Sequence, residues 1–152
     1  MEIGAQFYTV CSMTQTTEGL AEALKMVADI GYRTVQLSAT CPYDAEWMKE
    51  QLNKNGLRCV LTHTPVPRLT GELDRVIAEH SVYGCDYIGL GWYSFDEEKG
   101  DTYEKFMDTF APVARKISAA ASVEAEITES SVASLPEAMR ASEFTSRPMP
   151  LT

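Results

Sequence analysis

Three stretches of this chain are built alike: GYRTVQLSAT from Gly31, GLRCVLTHTP from Gly56 and GCDYIGLGWY from Gly84. Each is a glycine, a short polar step and then an apolar, largely β-branched run. A glycine in that place takes the left-handed position just past the last turn of a helix, and the chain enters a buried strand at once. Three such joints in series define β-α units, and right-handed crossovers between such units make a parallel sheet.

The segments between the joints read as helices. From about Thr17 to Ile30, Leu20, Leu24, Val27 and Ala28 share a face, with Thr16 or Thr17 as the N-cap. A second helix from about Asp44 to Asn55 buries Trp47, Met48 and Leu52. A third from about Thr70 to Tyr83 offers Leu73, Val76, Ile77 and His80. A fourth from about Thr102 to Ile117 carries Tyr103, Phe106, Met107, Phe110 and Val113, with a kink expected at Pro112. The strands near residues 3–9, 34–39, 58–63 and 86–92 are apolar rather than strictly alternating, as suits parallel strands covered by helices. The fold class is therefore α/β, a parallel (βα)4 domain over residues 1–120. Residues 121–152 form a divergent tail without glycine, tyrosine or tryptophan. That tail is expected to be irregular or to form a short helix from about Ser130 to Ser142, with mobile final residues.

Composition excludes several function classes. A formal net charge of −9 opposes binding to nucleic acid or anionic membrane, which needs clustered Lys and Arg. No stretch approaches the ~20 apolar residues of a membrane span, and the start shows no export signal, so a cytoplasmic protein is expected. Cys11, Cys41, Cys59 and Cys85 are far apart in sequence with no C-x-x-C pair. They suggest reduced, mostly buried thiols rather than a zinc knuckle or a thioredoxin-type site.

Together IGAQFYTV, the Gly-aromatic turn into TVQLS, GLRCVLTHTP and GCDYIGLGW resemble the sugar phosphate isomerase/epimerase family, whose members have a xylose-isomerase-like TIM barrel. The resemblance runs from residue 1 to about residue 120. A TIM barrel takes eight β-α units and typically ~250 residues, so it implies the N-terminal half only, as from a gene truncated or frameshifted near Ala119. It also implies metal-dependent sugar isomerisation or epimerisation with a divalent ion such as Mn, Mg or Zn. The family's ligands, two glutamates, an aspartate and a histidine, lie on second-half strands, so no metal ligand and no catalytic residue is carried over, and no cofactor is expected in this chain. Two readings stand: a sugar isomerase or epimerase, and a catalytically inactive half-barrel remnant that self-associates. Four strands cut from a barrel leave two open edges and an uncovered interior face, so a homodimer is expected, as a closed 4+4 barrel or by face packing. The DNA-repair endonuclease branch of the superfamily is disfavoured by the acidic charge.

His63 ends its strand on the rim where TIM-barrel enzymes build active sites, level in the repeat with Ser38 and Gly91. It either contacts a substrate, a small sugar by the resemblance, or is satisfied by local hydrogen bonds. His80, on a helix face, reads as structural. Gln6 and Gln36 sit in apolar strands, where an unpaired amide costs about 1–3 kcal/mol, and they line a barrel interior or polar pocket. Tyr8 and Trp92, at strand ends, either wall a sugar ring or pack in a core or interface. Gly89 and Gly91 form a G-x-G without the third glycine of a dinucleotide fingerprint. The run DEEKGD at 96–101 reads as a solvated loop. Ser38 and His63 lie on neighbouring strands, yet no acidic residue is placed to orient the histidine as in a triad.

Overall fold

Gly31, Gly56 and Gly84 end their helices with φ of 115°, 61° and 65°, the left-handed caps that the three joints require. In this computed structural model, which describes residues 3–93, 95, 100 and 102–132, each cap leads to a strand or strand approach. The strands are β1 (Ala5–Gln6), β2 (Thr34–Leu37), β3 (Arg58–His63) and β4 (Ile88–Gly89). They pair in parallel in the order β1-β2-β3-β4, so chain order and spatial order coincide, as in one half of a TIM barrel.

The helices are α1 (Thr17–Ile30), α2 (Ala45–Asn55), α3 (Val66–Gly71), α4 (Leu73–Tyr83) and α5 (Tyr103–Val132). Thr16 caps α1 by accepting from the Gly19 amide, and Asp44 caps α2 by accepting from Glu46 and Trp47. Leu20, Leu24 and Val27 of α1 and Met48 and Leu52 of α2 meet Val35, Leu37 and Cys59 of the sheet, with Phe7 fully buried among them.

Four expectations about element bounds are corrected. The first strand stops at Gln6, and Phe7–Met13 forms a 3-10 helix. Polar side chains in it and just after it bond local carbonyls instead of leaving the backbone to the sheet: Thr9 Oγ1 donates to the Gln6 carbonyl at 2.7 Å, and Gln15 Nε2 donates to that of Cys11 at 2.6 Å. The fourth strand is two residues long rather than the seven expected over 86–92. The third helix is two helices: Pro65 and Pro67 begin α3 early, and Glu72, at φ −131° and ψ 27°, separates it from α4. The fourth helix runs past Ile117 to Val132 with Pro112 inside it, because SAAASVEAE is rich in helix formers and free of glycine and proline. Most of DEEKGD, and the tail from residue 133 on, with it most of the short helix expected over Ser130–Ser142, lie outside the described residues.

The register between β2 and β3 slips once. Val35 pairs with Cys59, but Gln36 pairs with Leu61, so Val60 is an extra residue on β3. Side chains alternate along a strand, so this one residue reverses the phase of everything after it. Thr62 therefore turns toward the helices, like Leu37, and His63 turns to the opposite face, like Gln36.

Candidate functional site

The open face of the sheet presents Gln6, Gln36, Leu61 and His63, which are exposed or half-buried, while the alternate positions Val35, Leu37 and Cys59 are buried under the helices. Gln6 is level with Gln36. Gln36 Nε2 lies 2.6 Å from His63 Nε2, and Ser38 Oγ lies 3.2 Å from His63 Nδ1. With the Gln36 amide nitrogen donating to Nε2, the neutral imidazole carries its proton on Nδ1 and donates it to Ser38. Ser38 keeps its own hydroxyl proton. Gly91 closes the histidine's other side: a Cβ there would stand 2.6 to 2.7 Å from ring and Cβ atoms of His63. Register sets Gly89, not Gly91, opposite His63, two residues from the level that the repeat predicts, as the stagger of barrel strands entails.

Beyond the strand ends opens a cleft of about 320 Å3, lined by Ser38, Thr64, His63, Arg68, Glu79 and His80 among others, within the range of small-molecule sites. Ala39 on its wall has φ 52°, a left-handed conformation uncommon for a residue with a Cβ, held in part by Gln15 Nε2 donating to its carbonyl at 2.9 Å. Arg68 donates to Glu79 at 2.7 Å and lies 3.5 Å from Glu72, while Arg75 donates to Glu79 at 2.9 Å. Two cations and two anions thus balance on this wall. The hydrogen bond to Glu79 is the main reason that the Arg68 guanidinium is held above its usual pKa.

The two histidines have separate roles. His80 is buried on α4, with Nδ1 2.7 Å from the Val76 carbonyl and Nε2 2.7 Å from Thr62 Oγ1, itself 3.1 Å from Thr64 Oγ1. Since a carbonyl only accepts, Nδ1 bears the proton and neutral His80 accepts from Thr62. Burial lowers its pKa below the ordinary histidine value, ahead of opposing effects from the Val76 carbonyl and Glu79 and a further lowering by Arg68. With the folded pKa depressed, the unfolded chain takes up the proton first. The contribution of neutral His80 to stability is therefore full above about pH 6.5 and is lost as pH falls through the folded value. Urea midpoints measured from pH 7.5 downwards should fall in this window for the native chain and less steeply for His80→Gln; parallel curves would remove His80 as the cause.

Of the residues singled out in the sequence, the structure joins Gln36 to His63 and puts Gln6 on the same face. Tyr8 lies on the 3-10 helix, 63% exposed, and Trp92 lies beyond β4, 76% exposed; neither is among the residues lining the cleft. Arg68, Glu79 and the Thr64–Thr62 link to His80 are not singled out by the sequence: Arg68 comes to the rim on the helix that Pro65 begins, Glu79 on α4, and the two threonines at and just past the end of β3. The divalent metal implied by the resemblance does not fit here. Among the described residues no three His, Cys, Asp or Glu side chains converge, both His63 nitrogens are engaged, and Glu72 and Glu79 are tied to arginines.

Parallel β-α units in sequential order, with polar side chains gathered where the strands end, define the N-terminal half of a TIM barrel with its rim. Solved structures share that fold. The AP endonuclease, family 2, from Brucella melitensis matches with a TM-score of 0.55 at 18% identity over 78% of this chain and 52% of its own. The sugar phosphate isomerase/epimerase from Parabacteroides distasonis matches with a TM-score of 0.53 at 17% identity over 78% of this chain and 51% of its own. The chain thus spans about half the length of each. No protein-family model and no curated protein matches it in sequence.

Proposed function

We propose that the chain is a sugar isomerase/epimerase-like half-barrel whose rim cleft binds a small sugar, and that a second copy completes the barrel. The observation that carries the first part is His63, fixed between Gln36 and Ser38 at the end of β3 and opening on the cleft. Ser38 offers a hydroxyl proton beside an oriented imidazole, and Thr64, Arg68 and Glu79 add further donors and acceptors, the chemistry by which hydroxyl groups are recognised. The part of such an enzyme that would hold a divalent ion has no counterpart among the described residues, so binding rather than turnover is proposed for the chain alone. The second part rests on β1 and β4, the two edges of the sheet. Ile3 and Tyr8 beside β1, and Tyr87 and Trp92 beside β4, are all more than 60% exposed. Edge strands with apolar flanks invite pairing, and a second copy raises four strands to eight.

Ligand-detected NMR with a panel of monosaccharides and their phosphates tests the cleft. Binding is expected to weaken at least about tenfold in His63→Ala, the loss of about 1.4 kcal/mol of polar contact. Gly91→Ala should act alike by pushing the ring from its place. Unchanged binding in both variants, or no binding by the native chain, would leave the inactive remnant as the better reading. Tight binding of duplex DNA with an abasic site would favour an endonuclease-like function. Sedimentation of the same samples at micromolar concentration should give the mass of two chains, and a monomer would remove the second copy.

A further inference from the structure

Cys59 and Cys85 are 26 positions apart in sequence, yet their sulfurs are 3.4 Å apart, with both cysteines buried and not joined by a disulfide. Strand register explains the meeting. Thr62 pairs with Ile88 and His63 with Gly89 at this same separation, so the two cysteines lie level, three residues before Thr62 and Ile88. Neighbouring strands run about 4.8 Å apart, within the Cα separation that a disulfide spans, about 4.4–6.8 Å. The sulfurs need to approach by little more than 1 Å to reach a bond of about 2.05 Å.

Their surroundings differ. Cys59 has no exposed surface and lies in the core beneath α1 and α2. Cys85 is 8% exposed and lines a separate cavity of about 340 Å3 between α4, β4 and α5, whose other walls include Ile77, Gly84, Ile88 and Ile117. A small oxidant reaches Cys85 through this cavity and meets Cys59 only behind it. The hydrogen bond from the Cys59 thiol lowers the pKa of Cys85 and is the first cause that raises that of Cys59.

We infer that Cys59 and Cys85 form a redox-active dithiol that a small oxidant of the peroxide class converts to a disulfide, with Cys85 attacked first and Cys59 resolving. The Cys85 thiolate attacks one oxygen of hydrogen peroxide, the O–O bond breaks, and Cys85 sulfenic acid and hydroxide form. The Cys59 thiol then loses its proton as its sulfur attacks that of Cys85, and the S–O bond breaks with release of water. Two thiols lose two electrons, and one peroxide is reduced to two waters overall. The product staples β3 to the segment that leads into β4.

The test uses the full chain carrying Cys11→Ser and Cys41→Ser, which leaves only this pair, treated while folded with one equivalent of hydrogen peroxide. The free-thiol count is expected to fall from two to zero and the mass by about 2 Da, with a Cys59–Cys85 cross-linked peptide that dithiothreitol reverses. Adding Cys59→Ser should stop the cross-link and leave a sulfenic acid on Cys85 that dimedone traps. The inference fails if both thiols survive until the chain is unfolded, if the only disulfide joins two chains, or if dimedone marks Cys59 before Cys85. If the added serine prevents folding, the cross-link in the parent variant decides alone.

Discussion

Gly19→Ala is expected to destabilise the chain by about 2–3 kcal/mol, against the direction that helix propensity gives. Gly19 lies in the first turn of α1, where alanine would ordinarily gain about 1 kcal/mol over glycine. Its Cβ, however, would stand 2.1 Å from the Met13 carbonyl oxygen and 3.4 Å from Thr16 Oγ1. The first is a backbone atom at the end of the 3-10 helix, and it cannot swing away as a side-chain tip does. Moving it would disturb Thr14, which is fully buried and whose carbonyl accepts from the Cys41 amide at 2.7 Å, and would spoil the Thr16 cap on the Gly19 amide. Urea denaturation followed by circular dichroism should show a lower midpoint with an unchanged slope. All samples should have one protein concentration, since self-association adds to apparent stability. A raised midpoint would mean that the 3-10 helix yields freely.

Phe7→Ala should cost more, about 3–5 kcal/mol, the range for removing a fully buried phenylalanine. Phe7 is the one buried residue of the 3-10 helix, packed with the core between α1 and the sheet while its neighbour Tyr8 is turned outward. It replaces the longer first strand as the anchor of the N-terminal segment, because β1 has only two residues. Phe7→Leu keeps most of the apolar contact and should lose about 1.5 kcal/mol. The same denaturation experiment separates them. Equal and small losses would show that the N-terminal segment contributes little to the cooperative unit.

The sequence carries the β-α grammar plainly, since a glycine cap before a β-branched run is a local signal and each of the three ends its helix as read. His63 was legible as a rim residue for the same reason. What remained hidden depends on contacts between distant segments. The 3-10 helix after Gln6 follows from side chains bonding nearby carbonyls, which compete with the sheet over only a few residues. The Cys59–Cys85 contact has no local spacing to betray it, for strand register makes it. The Gln36–His63 contact depends on Val60 being passed over in the pairing of β3 with β2, and an apolar stretch such as RCVLTH does not reveal where its alternation changes phase.

That extra residue is a place where β3 tolerates change. Exchanging Val60 for another apolar side chain keeps the count and so the facing of each position. Deleting it would close the bulge and leave Cys59, Leu61 and Thr62 opposite Val35, Gln36 and Leu37, so that Thr62 keeps its reach to His80 and His63 keeps its place on the open face. The strand can thus drift in composition at Val60, and even shed that residue, without exchanging the faces on which the two histidines find their partners, one in the open and one in the core.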